Sequence, residues 1–300
     1  MYRSILRAIE QQEQIQDVEH YLQSLKPYVI NLRRGFRNSL IRVDYSDFKV
    51  QAAYLLAYYP LYSEVTYRVL MDLAEPIHQA FAQKKRLQAC FLGGGPTPEA
   101  VALSTYLKQS GSQVNSLTAY AFDIAATTWS KSQEVSKYLV SKANSEIQFS
   151  LQGHPLNLCQ KNVFSTYRDI IQTTDLFVIQ NCLNEFVNTP QVFIENIDFL
   201  IQEMSESSIL IIADLNFEIV KRLMGQVECH FRTVSRLEVI RSNASGYSCL
   251  HSRLPLLKVL TDNLLTGEED LIPKKKVNFN YLAIQKMPIA VQFEYASIPF

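Results

Sequence analysis

The stretch from 88 to 103 constrains the fold most. A short apolar run (QACFL, 88–92) stops at Gly93, Gly94 and Gly95, and Pro96, Thr97 and Pro98 lead into a helix-forming segment in which Ala100, Leu103 and Leu107 share one stripe. Strand, glycine turn, helix is the opening unit of an α/β fold. Glycines at the turn let the backbone reverse sharply and approach a ligand closely, because no Cβ intervenes. The ligand then sits beyond the carboxyl end of the sheet, at its switch point. Thr97 is expected to cap the helix, with Pro98 at its first position.

The pattern repeats downstream. Strands are expected at 117–123 (LTAYAFD), 146–151 (EIQFSL), 175–181 (DLFVIQN) and 208–214 (SILIIAD), with helices near 127–142 and 190–203. Near-continuous apolar runs fit parallel strands covered on both faces. After 226 the character shifts, and 227–241 and 277–285 alternate like strands, separated by a long loop with Gly246, Pro255, Gly267 and Pro273 as breakers. The whole predicts a mostly parallel α/β sandwich ending in an antiparallel hairpin.

No strand is expected before residue 87, and residues 1–86 read as a helical segment preceding a sheet domain at 87–300. Ile5, Leu6 and Ile9 begin a helical period that Val18, Tyr21, Leu22 and Leu25 continue; Pro27 should break or kink it. A helix over 47–59 should end at Pro60, and Ser63 is a plausible cap for the next. The Tyr-rich stretch at 52–70 reads either as a helical pair packed on the sheet or as a lid over the active site.

Composition excludes some classes. Of 300 residues, 47% are hydrophobic and 11% aromatic, and 29 basic residues balance 29 acidic ones. That is not the composition of a disordered chain or of a strongly basic nucleic-acid binder. Local basic clusters remain: Arg33, Arg34, Arg37 and Arg42; Lys84, Lys85 and Arg86; and Lys274, Lys275 and Lys276. They are solvated surface or a face for an anionic partner such as RNA. The five cysteines include no C-x-x-C pair, the five histidines add no metal spacing, and the N-terminus has no apolar signal region. No apolar run reaches the roughly 20 residues that span a bilayer. No metal and no membrane are expected, and the expected location is the cytoplasm.

Asp123 closes the second strand, where an acid can accept the ribose hydroxyls of a nucleoside. The absence of G-K-[ST] after the glycines argues against a nucleotide triphosphate. Pro98 at the third glycine of G-x-G-x-x-G weighs against NAD or FAD, with an NAD-type oxidoreductase the competing reading. S-adenosylmethionine, which carries no phosphate, is compatible with the loop.

The GGGP turn, the downstream acid and the strand order resemble a class I S-adenosylmethionine-dependent methyltransferase over about residues 87–286. More narrowly, LGGGPTPEAVAL, then FDIA, Trp129 and LNEF, are similar to the fungal-type ribosomal RNA uridine-N3 methyltransferases. The resemblance implies a Rossmann-like methyltransferase sandwich with S-adenosylmethionine as cofactor. Gly93, Gly94, Gly95 and Pro96 would form the loop at its methionine arm, Asp123 would hold the ribose, and Ile124 would contact the adenine. Asn181, Asn184 and Glu185 would face the transferring methyl and the acceptor, an RNA base or a small molecule. Two positions depart from the family: Phe91 stands where an acid is frequent, and Thr97 where many members have glycine. A non-catalytic module of the same fold is the alternative.

Methyl transfer from a sulfonium needs alignment more than chemistry from the protein, and a base only for an uncharged N–H or O–H acceptor. Glu185 is the candidate to orient or deprotonate the acceptor; an acid at a helix start is the competing account. Trp129 covers the cofactor or fills the core. His154 and Asn157 contact adenine or form a turn. Asp214 shapes the acceptor pocket or caps the helix that follows.

Overall fold

The computed structural model describes residues 1–37, 43–267 and 269–288. Five helices come first: α1 (Tyr2–Glu13), α2 (Val18–Arg37), α3 (Phe48–Ala57), α4 (Tyr59–Asp72) and α5 (Ala74–Phe81). Strands and helices then alternate through β1 (Arg86–Leu92), α6 (Pro98–Gln109), β2 (Ser116–Asp123), α7 (Ser130–Ala143), β3 (Gln148–Pro155), α8 (Arg168–Thr173), β4 (Leu176–Gln180), α9 (Pro190–Glu203), β5 (Ile209–Leu215) and α10 (Glu218–Phe231). The chain finishes with β6 (Leu237–Ser242), β7 (Ser248–His251), α11 (Lys258–Asn263) and β8 (Lys276–Lys286).

The sheet has the order β3-β2-β1-β4-β5-β8-β6, with β7 also pairing β8. The first five strands are parallel, and β8 runs antiparallel to β5, β6 and β7. This is a Rossmann-like sandwich with an antiparallel end. The order reverses between β1 and β4, so the loops leaving those two strands diverge and open a crevice at the carboxyl edge.

Alternation along the strands assigns each side chain to a layer. In β5, Ile209, Ile211 and Ala213 pack in one core with β1 residues Leu87, Ala89 and Phe91 and with helices α1 to α7. Leu210 and Ile212 point the other way, with Leu92, Phe177 and Ile179, against α9 and α10. Burial of each large apolar side chain contributes about 1.5–3 kcal/mol. Phe91 is fully buried in the first of these cores, among the N-terminal helices.

Several expectations change. Pro27 does not end a helix but lies inside α2. Leu22, Leu25, Val29 and Leu32 on either side of it are all 0% exposed, so packing holds the helix through the lost backbone bond. Ser63 caps nothing: α4 starts four residues earlier, with Pro60 in its first turn, and Ser63 is buried inside it. The apparent alternation from 227 is partly helical. Val220, Leu223, Met224, Val227 and Phe231 form the buried stripe of α10, and strand begins only at Leu237. The terminal pair is antiparallel as expected, but β8 inserts between β5 and β6, where both its faces are covered. Arg42 and the Arg37 side chain lie outside the described residues. Of the other basic residues, Arg33 pairs with Asp270 and Lys84 with Asp175.

Candidate functional site

The glycine turn is built on hydrogen bonds to the neighbouring strand. Gly93 and Gly94 donate their N–H groups to the Phe122 carbonyl at 2.7 and 3.3 Å, and Gly95 N donates to Asp123 Oδ2 at 3.0 Å. The two sequence features therefore meet directly. Gly95 has φ +45, and a Cβ there would stand 3.2 Å from the Trp129 ring. At Gly94 a Cβ would come within 2.8 Å of the Phe91 Cβ, so the turn closes only without a side chain. From behind, Gln133 Nε2 donates to the Gly95 carbonyl at 3.1 Å. Ser136 Oγ donates to the Pro96 carbonyl and is itself bonded to the Tyr59 hydroxyl.

Thr97 holds the N-cap position of α6 without capping it. Its φ of 60 is left-handed rather than extended, no side-chain bond reaches the helix, and its buried Oγ1 has no hydrogen-bond partner. An N-cap hydroxyl reaches the helix N–H groups from an extended backbone. Thr97 instead carries a β-branched side chain in the conformation that glycine adopts at least cost.

Beyond this turn lies a cavity of about 440 Å³ at the carboxyl ends of β1 to β5. Gly93, Gly95, Pro96, Asp123, Ile124, Asn181, Asn184 and Glu185 all line it, whereas Gly94 does not. These candidates therefore border one cavity, while the middle glycine, Gly94, serves the turn's geometry. Asn157 also lines the cavity; its Oδ1 accepts the Cys159 N–H at 3.0 Å and so shapes the loop after β3. His154 does not line it: it lies within β3, stacked on Phe122 with ring centroids 5.3 Å apart, and burial lowers its pKa.

The acids differ in how they are held. Asp123 accepts from Gly95 N, from Ala125 N at 2.8 Å and from the Trp129 indole. Three of the roughly four acceptor positions of a carboxylate are therefore filled from within the chain. Burial raises the Asp123 pKa, and those three donors oppose the rise. Asp214 does not cap α10, whose N-cap position is Phe217. Its Oδ2 accepts from Leu183 N at 2.8 Å, so it caps the 3₁₀ turn Leu183–Phe186, which carries LNEF. Burial pushes its pKa up to about 7. Glu185 lines the cavity from that turn, and its pKa is raised by desolvation and by the charge of Asp123. Asn181, with φ 56, follows β4 and has a buried Oδ1 with no hydrogen-bond partner.

One wall is aromatic, and two of its members, Phe36 and Tyr45, had no signal in the sequence. Phe36, Tyr45, Tyr54, Tyr62 and Trp129 line the cavity, with Tyr45 4.7 Å and Tyr54 5.6 Å from Trp129 by ring centroid. Trp129 is 3% exposed, so it both fills the core and faces the site. Buried polar bonds fix the helices that present these rings. Gln51 Nε2 donates to the Thr128 carbonyl at 2.7 Å, and Thr66 Oγ1 donates to Gln180 Oε1. Phe217 and Ile219 bring exposed apolar surface from the start of α10. Among the described residues, no Lys, Arg or His lines the cavity, and no group of three or more His, Cys, Asp or Glu could hold a metal. No helix among them is long and apolar enough to cross a membrane.

A further acid lies behind the turn. Glu99, in the first turn of α6, is 3% exposed; its Oε2 has no partner, and burial pushes its pKa up to about 8. The folded state thus keeps a proton that the unfolded chain releases near the ordinary value of 4.5. Between those two values stability falls as pH rises. We expect the melting temperature to increase by about 3–5 °C as pH drops from 8 to 6. In Glu99→Gln this slope should flatten to what Asp214 contributes, a comparison readable by calorimetry across that range. An unchanged slope would mean that Glu99 ionises freely.

No protein-family model and no curated protein matches the chain. Solved structures do match. One is a candidate class I S-adenosylmethionine-dependent methyltransferase from Listeria monocytogenes, 12% identical, covering 97% of this chain and 89% of that one at a TM-score of 0.46. Another is an S-adenosylmethionine-dependent methyltransferase from Anabaena variabilis, 11% identical, covering 87% and 93% at 0.40. TrmN from Thermus thermophilus is 9% identical, and the match spans 72% of this chain but only 48% of that protein, at 0.39. Likenesses this distant leave the chemistry of the site to its own residues.

Proposed function

We propose that the chain is an S-adenosylmethionine-dependent methyltransferase acting on an RNA base or a small molecule. One observation carries the reading: the glycine turn and Asp123 meet at a single cavity whose charged lining, among the described residues, is entirely acidic. A pyrophosphate cofactor would find no cation there among the described residues, while a ligand carrying a sulfonium and an ammonium meets carboxylates and aromatic faces.

Bound there, the cofactor supplies an activated methyl group. Gly93, Gly95 and Pro96 would receive its methionine arm beside the start of α6. Asp123, with about one acceptor position left, would take a ribose hydroxyl, and Ile124, 69% exposed, would cover the adenine. Asn181, Asn184 and Glu185 would hold the acceptor and take its proton. Helices α2 to α4 would act as the lid, since Phe36, Tyr54 and Tyr62 on them border the cavity and exclude water.

Titration calorimetry with S-adenosylhomocysteine, S-adenosylmethionine and NAD tests this. Heat is expected from the first two and none from NAD. Binding of NAD alone, or of none of them, would refute it. Binding without methyl incorporation into any extract fraction would instead leave the non-catalytic module.

A further inference from the structure

We infer that the methyl acceptor is a small amine that enters as a cation, with an apolar or aromatic body, rather than a nucleic acid. This rests on the cofactor reading above and goes further, because it assigns the substrate class.

The charge balance of the cavity is the starting point. Asp123, Glu185 and Asp214 all line it, and among the described residues no cationic side chain faces them. S-adenosylmethionine brings two positive groups and one carboxylate, a net single positive charge. Asp123 is engaged by the turn, and Asp214 is half-neutral near pH 7. Among the described residues the Glu185 carboxylate has no ion-pair partner. Nearby, Asn181 Oδ1 is a buried acceptor with nothing to accept. Both unmet groups ask the ligand for N–H donors. A buried acceptor left unmatched costs about 1–3 kcal/mol, so a ligand that matches it is favoured over one that does not.

The walls agree. Tyr45, Tyr54 and Tyr62 stand on the side formed by the N-terminal helices. Aromatic faces attract ammonium groups and also pack an apolar body. Ile124, Phe217 and Ile219, at 69%, 50% and 44% exposed, bring apolar surface with no basic residue among them. Nucleic-acid affinity comes largely from Lys and Arg neutralising phosphates. Here a phosphate backbone would meet Glu185 and, among the described lining residues, no cation.

The reaction balances with groups already present. Glu185 takes one proton from the ammonium, leaving a neutral amine with a free lone pair. The nitrogen forms a bond to the methyl carbon as the carbon–sulfur bond breaks, and that electron pair stays on sulfur as a neutral thioether. The product is an N-methylammonium, and Glu185 returns its proton to solvent.

The test uses the full chain loaded with S-adenosylhomocysteine, so that cofactor binding is established first. Phenethylamine, tryptamine and benzyltrimethylammonium are titrated against 2-phenylethanol and 3-phenylpropionate. At least one cation should bind about tenfold or more tighter than the neutral probe, and the anion should be weakest. Glu185→Gln should reduce that preference to about threefold or less while leaving S-adenosylhomocysteine affinity within about twofold. Labelled donor in cell extract should mark a small cationic species that passes a filter and survives nuclease and protease. If none of the cations binds, or if the anion binds as well as they do, the acceptor assignment is wrong while the cofactor reading stands. Nuclease-sensitive or protease-sensitive label overturns it in the same way. Failure to bind S-adenosylhomocysteine removes both.

Discussion

Asp123→Ala is expected to weaken S-adenosylhomocysteine binding by about a hundredfold or more, equivalent to roughly 2.7 kcal/mol. Two losses combine. The carboxylate clamps the turn by accepting from Gly95 N at 3.0 Å, and it also receives Ala125 N and the Trp129 indole. Removing it strands three donors, each costing about 1–3 kcal/mol where water cannot replace it. The ribose contact assigned to its remaining acceptor position goes as well. Asp123→Asn should fall almost as far, because an amide offers one oxygen where the turn needs two and points its own N–H groups at donors. Calorimetric titration gives the affinity, and circular dichroism with thermal melting separates it from global unfolding. An Asp123→Ala protein that binds S-adenosylhomocysteine like the parent would remove the turn–acid pair from the site.

The second large effect is on stability. Phe193→Ala should destabilise the chain by about 3–5 kcal/mol and lower the melting temperature by roughly 5–8 °C. Phe193 is 0% exposed in α9, and its ring stacks on Phe186 at 4.5 Å with 15° between planes. Phe186 closes the 3₁₀ turn that carries Asn184 and Glu185, so the cavity should loosen along with the core. Leu200→Ala, two turns further along the same helix and equally buried, should cost about 2–5 kcal/mol without touching that turn. Denaturant unfolding of the two variants gives both energies. Phenethylamine binding to the S-adenosylhomocysteine complex, measured at a temperature where both are folded, should be weakened only in Phe193→Ala. Equal binding by the two variants would show that the turn does not depend on this stacked pair.

Much of the architecture is written locally. The run from 208 to 214 can be buried on both faces only in a sheet covered by helices on each side, and Gly93 to Gly95 favour a turn. Asp123 follows an apolar strand and so must stand at its carboxyl end. Helix limits were less legible. Pro27 reads as a break in any local view, yet α2 passes through it because four leucine and valine side chains are buried around it.

What the acids do was decided by tertiary structure alone. Asp214 looks like a cap for the next helix in sequence, but its partner is Leu183, 31 residues earlier, because β4 and β5 lie side by side. Glu99 looks like an ordinary first-turn acid, and burial makes it a proton-holding one. The aromatic wall is only partly legible: the Tyr-rich stretch at 52–70 and Trp129 offer a cover for the site, but Phe36 and Tyr45 come from separate segments that only packing brings to it. Strand, turn and helix follow from periods of a few residues, which a chain displays along its length. The charge state of a carboxylate and the lining of a cavity depend on distances through space and on exclusion of water, and these exist only once the layers have closed.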